Sequence, residues 1–499
     1  MNPKIKEKER NKEEGKRKNF SPRLTLGKDY ILHMTEGFIP KNQILEILNL
    51  KNEIKNEKQS PNEEKYTNPV LIKIKEHRRQ TLTLQEILNT KAKWPKNLVL
   101  YELDKNTERI YVECPILWEK RIKKEITENS NFEEIREENQ KIEEKFWEMY
   151  SKNNFKTLGR WKNGTLPYSF VIPKYKDPPN KSRLICSYSQ HFLKEIFQLT
   201  SHALTWMFSS LKGKIRNFNL FRLDELIHNL KDSRSYLKST YGEDTNIITL
   251  QSDIKQMYTN LQHHEIHKAI DWLLTKSQKN CNSRLRNRNF VLISKYKNET
   301  NKHEIHWSTG NGGCQWKTLT KEKIQKIINI DLNNAYQIID GRIFRQIKGC
   351  PIGGFMSAIY ANVQCAYNEY SWLASLKTQA SLLAGIRQMD DLLLLIAYNK
   401  NKPHSKEDAL KLKNQCLRKN MVYKGGLELE EQKPIWIHKK EICHKFAGTL
   451  ITFDTDNPTL RIAPFIKNEE SLLKNGCLEY PRFIEKTSFI PKVTNSVAS

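Results

Sequence analysis

Three aspartates stand out for where they fall in the chain. Asp253 closes an apolar run in ITLQSDIKQMY, and Asp390 and Asp391 sit between Met389 and four consecutive leucines in IRQMDDLLLLI. Nucleotidyl transfer calls for such carboxylates. A primer 3′ hydroxyl must become a better nucleophile, and charge building on the α-phosphate and the departing pyrophosphate must be neutralised. Two divalent ions roughly 4 Å apart do both, held by clustered acids. One acid at a strand end and a second acid or pair in a tight turn is the arrangement that this chemistry needs. An Asp-Asp pair alone says little in a chain with 57 acidic residues, and an ordinary polar hairpin turn carries one too. The apolar flanks add weight, because two adjacent charges are expensive to bury without a cation.

The surrounding patterns supply elements that could position these acids. Asn246 to Leu250 reads as a strand ending near Asp253, and Leu392 to Ile396 as a second strand. Ile266, Ala269, Ile270, Leu273 and Leu274 mark a helix after the first strand. Upstream, WKNGTLPYSFVIPKYKDPPNKSRLICSYS has the form of a β-hairpin, with helical stretches following to about residue 230. Residues 131–150 read as one helix, with Phe132, Ile135, Ile142, Phe146 and Met149 on one face. Residues 281–318 look like an inserted strand pair, and their Arg284, Arg286 and Arg288 suit an exposed basic loop or a contact with a nucleic-acid duplex. Thr320 is placed to cap a helix carrying Ile324, Ile327, Ile328 and Leu332. The Gly-rich KGCPIGG precedes a long helix over about 355–376, and residues 421–453 hold three short β-like runs. Strands and helices alternate with acids at strand ends, which indicates an α+β domain. No G-x-G-x-x-G or Walker fingerprint is present.

Bulk properties narrow the partner. The 499 residues carry a formal net charge of +27, a self-repulsion that a polyanion relieves, so nucleic acid is the expected partner and an anionic membrane surface the competitor. No apolar stretch of about 18 residues occurs. The start, MNPKIKEKERNKEEGKRK, is charged and lacks the apolar core of a secretory signal. An intracellular protein is expected, in nucleus or cytoplasm. Nine scattered cysteines with no C-x-x-C pair suit a reducing compartment. His303, His306 and Cys314 lie close in sequence, but their spacing matches no standard metal pattern.

Taken in order, these motifs resemble those of reverse transcriptases. VIPKYKDPPNKSRLI is similar to the fingers hairpin, whose lysine and arginine, here Lys174 and Arg183, face the triphosphate. DIKQMY resembles the first palm motif, with Tyr258 as the steric gate against a ribose 2′ hydroxyl. RQIKGCPIGGFMSAIYAN resembles the loop and helix that cradle template and incoming nucleotide, with Gly353 and Gly354 letting backbone approach the base pair. QMDD resembles the tyrosine-x-aspartate-aspartate turn with a different opening, KGGLELEEQK the turn and strand that follow it, and FAGTLITFD the primer-grip hairpin. Lys433 is similar to the lysine that protonates pyrophosphate. Within these enzymes, DIKQMYTNLQHHEI and FRQIKGCPIGG are most similar to Penelope-like retroelement enzymes and their telomerase relatives. Ile352 where glutamine is usual, and Met389 in place of an aromatic or Ile, depart from the pattern. No GIY-YIG nuclease is evident, so a Penelope relative of this form lacks its endonuclease or is a fragment.

The resemblance implies an α+β right-hand polymerase with an antiparallel palm sheet. Its divisions are a tail at 1–30 (expected to be disordered), a helical extension at 31–154, fingers at 155–245, a palm at 246–455 with the insertion at about 281–318, and a short thumb-like segment at 456–499. It implies RNA-directed DNA synthesis with two Mg²⁺ ions, or Mn²⁺ in their place, held by Asp253, the Ile254 carbonyl, Asp390 and Asp391. The implied partners are an RNA template, a DNA primer or RNA–DNA hybrid, deoxynucleoside triphosphates, and an accessory subunit or separate endonuclease; no membrane is among them. Two alternatives stay open: a same-fold polymerase using a DNA template or none, and an inactive nucleic-acid-binding descendant. Bland roles compete as well: a core tyrosine for Tyr258, a solvated basic hairpin for Lys174 and Arg183, and a plain helix-opening turn for the two glycines.

Overall fold

The computed structural model describes residues 99–102, 110–174, 180–280, 289–297, 303–438, 441–454 and 460–464. Expectations for the tail at 1–30, for Arg284, Arg286 and Arg288, and for most of 456–499 lie outside the described residues. These fall into two units. One comprises the stretch ending at Glu128 together with Phe170–Leu184, the other Asn129–Ser169 and Ile185–Phe465.

In the first unit, β1 (Val99–Glu102) pairs antiparallel with β2 (Ile110–Glu113), and helix α1 (Pro115–Ile122) follows. Pro115 opens that helix where a missing N–H costs nothing. Arg121 and Glu113 form a buried ion pair at 2.7 Å. The described part of the N-terminal extension is thus mixed, with strands as well as a helix.

The second unit begins with β3 (Phe132–Ile135) and α2 (Asn139–Lys152). The chain leaves this unit along β4 (Tyr168–Pro173) and returns along β5 (Ser182–Ser187), before α3 (Lys194–Ser210) and α4 (Leu226–Tyr241). Next come β6 (Thr245–Ile254), the short α5 (Met257–Asn260) and α6 (His263–Asn280). Strands β7 (Phe290–Lys297), β8 (His303–Ser308) and β9 (Trp316–Thr320) precede α7 (Lys321–Asn333), β10 (Tyr336–Ile339) and β11 (Arg342–Gln346). Then follow α8 (Ser357–Ser375), β12 (Leu383–Gln388), β13 (Asp391–Asn399) and α9 (Pro403–Cys416). The described chain ends with β14 (Leu429–Glu431), β15 (Trp436–His438), β16 (Glu441–Phe446), β17 (Thr449–Asp454) and β18 (Leu460–Pro464).

The central sheet has the order β12-β13-β6-β14, and β13 explains why it is buried. Its run from Leu392 to Ala397 is covered on both faces. Leu392, Leu394 and Ile396 join one core with α3, α6 and α8, while Leu393, Leu395 and Ala397 join a second with α4, Phe446, Ile451 and Phe453. Strand alternation sends successive side chains to opposite sides, so one continuous apolar run feeds two cores.

Three expectations are corrected in detail. The single helix over 131–150 is a strand and then a helix. Phe132 to Ile135 pair with β11, and Glu133–Arg345 (2.8 Å) and Glu134–Arg342 (3.5 Å) bridge the two strands. A distant partner strand overrides the helical spacing, which holds only from Ile142 through Phe146 to Tyr150. The inserted strand pair is a three-stranded sheet ordered β8-β7-β9 that runs on to Thr320. The 421–453 region holds four strands, not three, β15 being short and exposed. Thr320 does cap α7, accepting from the Lys323 amide at 3.1 Å. Among the described residues no helix is long and apolar enough to cross a membrane.

On α7, Asp331 accepts a hydrogen bond from the Tyr360 hydroxyl at 3.1 Å. Burial pushes its carboxyl up from 3.8 to about 7, with the Tyr360 bond pulling the other way. A raised folded pKa means stability that is present below 3.8 and lost as pH rises through about 7. Asp331→Asn is therefore expected to gain stability relative to wild type between pH 5 and pH 8, read as the difference in melting temperature. A difference that does not vary with pH would remove this account of Asp331.

Candidate active site

Strands β6 and β13 run antiparallel in a register that sets Asp253 directly opposite Asp391. Side chains so paired have Cβ atoms about 4.5–5.5 Å apart and share one face of the sheet. A tight turn at the start of β13 and a long-range backbone bond anchor this arrangement. Gln388 pairs with Asp391 across a two-residue turn made of Met389 and Asp390, and the Ile254 amide donates to the Asp390 carbonyl at 2.9 Å. Met389 has φ 58°, where a tight hairpin turn ordinarily takes glycine. The acid pair is not buried as its flanks suggested: the leucines are buried, Asp391 and Asp253 are half-buried, and Asp390 is exposed at the turn.

On the other side of β6, Glu430 of β14 stands opposite Asp253. One row across the sheet therefore reads Gln388, Asp391, Asp253, Glu430. Like charges directly opposite repel, and Lys255, 3.7 Å from Glu430, answers part of that charge. Among the described residues no three His, Cys, Asp or Glu side chains close around one point as a finished metal cage. The donors still suit a hard cation. All are oxygens, and Gln388 Oε1, next to Asp391 in the row, is buried with no hydrogen-bond partner. His303 and His306 are otherwise engaged: His303 Nδ1 lies 2.8 Å from the Ser294 carbonyl, and His306 packs edge-on against Trp316.

Behind the acid row, on the opposite face, lies a group that the sequence reading missed. Arg387 and Glu369 are wholly buried and paired at 2.5 Å. Glu369 also accepts from the Tyr423 hydroxyl (2.8 Å) and the Phe218 amide (2.9 Å). Arg387 donates to Asn362 Oδ1 (3.1 Å), Asn219 Oδ1 (3.3 Å) and, at 3.0 Å, the Met389 carbonyl. A charged residue in the apolar LAGIRQ, and another inside the apolar helix NVQCAYNEYSWL, were the available signals.

The Gly-rich segment is held by backbone on both sides. The Gly349 amide donates to the Leu261 carbonyl (2.9 Å) and the Cys350 amide to that of Tyr258 (2.7 Å). This ties the half-buried Tyr258 to the loop. The Ile352 carbonyl accepts from the Cys186 amide at 2.8 Å, and Gly353 adopts φ +112° beside it. A Cβ on Gly353 would lie 2.1 Å from the Cys186 carbonyl oxygen, whereas one on Gly354 would meet the Ser357 hydroxyl at 2.6 Å. Gly353→Ala is expected to lower unfolding stability by at least about 2 kcal/mol, since both backbone strain and a backbone clash oppose it. Gly354→Ala should cost less, because a side chain can move; urea denaturation of both variants checks the order.

Lys433 is exposed and follows Gln432, whose amide donates to the Gln251 carbonyl at 2.8 Å, two residues before Asp253. Lys174 and Arg183 belong to the hairpin portion in the other unit, where the Lys174 amide donates to the Lys181 carbonyl at 2.8 Å.

A chain with this mixture of helix and sheet has solved counterparts. The fold is similar to that of telomerase. Apo telomerase from Candida tropicalis, truncated from its C-terminal domain, superposes with a TM-score of 0.50 at 12% identity, over 76% of this chain and 65% of that one. Another structure of the apo telomerase from Candida tropicalis gives a TM-score of 0.50 at 13% identity, over 76% of this chain and 57% of that one. This chain thus spans less than two thirds of the telomerase structures it matches. No family model and no curated protein matches the sequence. At such identity the likeness establishes the architecture, and the chemistry rests on the residues themselves.

Proposed function

We propose that this chain is a template-directed nucleic-acid polymerase of the reverse-transcriptase kind, extending a primer 3′ end with deoxynucleotides copied from RNA. The observation that carries this reading is the cross-strand pairing of Asp253 with Asp391, with Asp390 in the adjoining turn. In this reading β6, β12, β13 and β14 form the palm and the β4–β5 hairpin belongs to the fingers. The telomerase-like fold and the formal charge of +27 support it. Similarity to Penelope-like enzymes rests on the first palm motif and the Gly-rich loop.

Asp253, the Ile254 carbonyl, Asp390 and Asp391 would hold two Mg²⁺ ions, with Mn²⁺ as a substitute. When bound, these supply a more acidic primer hydroxyl and positive charge at the α-phosphate and leaving group. The protein's own groups do the rest. Arg183 and Lys174 are the residues that the fingers resemblance assigns to the triphosphate, which they would meet through charge-assisted hydrogen bonds. Gly353 and Gly354 let the loop close against Cys186 and Ser357, and the base pair would lie against its backbone. Lys433 donates a proton to the departing pyrophosphate. Template and primer bind mainly through phosphates, so affinity falls steeply with salt.

Primer extension on RNA and DNA templates, with deoxy- or ribonucleotides and Mg²⁺, tests the proposal. Incorporation on RNA templates supports it. Extension on DNA alone demotes RNA templating, and tight binding without incorporation favours an inactive binding protein. Tyr258→Ala is expected to relax sugar choice by about tenfold or more, in line with about 1.4 kcal/mol per decade. Unchanged discrimination between the two sugars would remove the steric-gate role.

A further inference from the structure

Five basic side chains gather around one acid on the second unit. Arg160 and Lys162 come from the α2–β4 connection, Lys194 from the first turn of α3, Lys295 from β7 and Lys317 from β9. The acid is Glu195, which accepts from the Arg160 amide at 2.9 Å. Lys162 and Lys194 both donate to the Ser189 carbonyl, at 3.1 and 3.2 Å, so two ammonium groups are held as neighbours. Among the described residues none of the five is in an ion pair. Burial, together with the charge of Lys194, holds Lys162 below the ordinary lysine range, and burial does the same for Lys317 beside Lys295 and Arg160. Trp161 stacks on Phe192 with ring centres 5.2 Å apart, which fixes the backbone between Arg160 and Lys162.

This cluster adjoins the Gly-rich loop. Ser189 follows Tyr188, whose ring packs edge-on against Phe355 and lies 3.7 Å from where a Cβ on Gly354 would sit. Tyr296, 77% exposed, follows Lys295, and the half-buried Trp316 precedes Lys317. Strand alternation puts Trp316 on the Leu292 and His306 face of the inserted sheet and Lys317 on the Ile293 face, so the cations, which would meet phosphates, carry the reading.

We propose that Arg160, Lys162, Lys194, Lys295 and Lys317 form a track for the phosphodiester backbone of the single-stranded template beyond the Gly-rich loop. The inserted β7–β9 sheet supplies two of its five cations. The proposal rests on the polymerase reading for the word template; strand binding itself does not.

The test uses the full chain and fluorescein-labelled RNA, read by anisotropy across a salt series. The probes are an unpaired 20-mer and a blunt duplex. Replacing Lys162, Lys194 and Lys317 with Ala should lower the slope of log affinity against log salt by about 2 on the unpaired strand, at roughly 0.7 per phosphate contact. The slope on the blunt duplex should hold. Glu195→Gln, which removes the one acid and keeps an acceptor for Arg160, should tighten unpaired RNA about threefold or more. Unchanged slopes with no gain from Glu195→Gln overturn the track. So does equal loss on the duplex. Primer extension by the wild type separates the two readings. An extending enzyme with lysine-independent slopes sinks the track alone. Lysine-dependent slopes in a protein that never extends sink the polymerase and leave a strand-binding surface.

Discussion

Asp391→Asn is expected to reduce primer-extension turnover by at least about a thousandfold, some 4 kcal/mol of transition-state stabilisation, while primer–template affinity stays within a few-fold. The substitution preserves shape and removes one charge from the row in which Asp391 faces Asp253. Binding of nucleic acid depends on phosphate contacts elsewhere, so KM for primer–template should barely move. Asp253→Asn should match it, and the double variant should be little worse, because groups that act as one unit are not additive. The same change relieves repulsion between like charges, so without divalent cation the variant should be at least as heat-stable as wild type. Adding Mg²⁺ should then raise the melting temperature of wild type more than that of the variant, by mass action on the folded state. Turnover within tenfold of wild type would falsify the role of this pair.

Glu369→Gln should be among the most damaging changes to stability. Removing one member of a buried ion pair leaves an uncompensated charge and costs about 3–5 kcal/mol. The partner left behind is Arg387, with no solvent-exposed surface on either side chain of the pair. For a chain of this size the melting temperature should fall by about 3–5 °C. Replacing both residues with apolar ones, Glu369→Leu with Arg387→Met, should recover much of that loss, because no charge is then buried alone. Activity should not recover in parallel. Arg387 holds the Met389 carbonyl at 3.0 Å, and Met389 sits at φ 58° in the turn that carries Asp390. Without that support the turn can relax, so the double variant should lose kcat with KM nearly unchanged. Full recovery of both stability and kcat would mean that the buried pair is only a packing device.

Much of the acid pair's setting was legible in the residues. The strand before Asp253, the turn at Met389–Asp390 and the leucine run after it are local patterns, and the structure has them as β6, a tight turn and β13. Helices α6 and α7 were equally plain, since their apolar spacing is helical and Thr320 supplies a cap. The strand at Phe132 to Ile135 was not, because its apolar residues also fit a helix and only pairing with β11 decides between the two. The third strand of the inserted sheet was hidden for the same reason.

The sequence by itself determined that acids stand at strand ends and that a tight turn and the strand it opens carry two adjacent ones, because turn chemistry and apolar periodicity act over a few neighbouring residues. Only the tertiary structure decided which side chains share their face. Glu430 and Gln388 join Asp253 and Asp391 through cross-strand register, and register is set by distant partners, Glu430 being paired with Asp253, 177 positions away. The same holds for the Arg387–Glu369 pair, whose charges are tolerable only inside a network drawn from four separate segments.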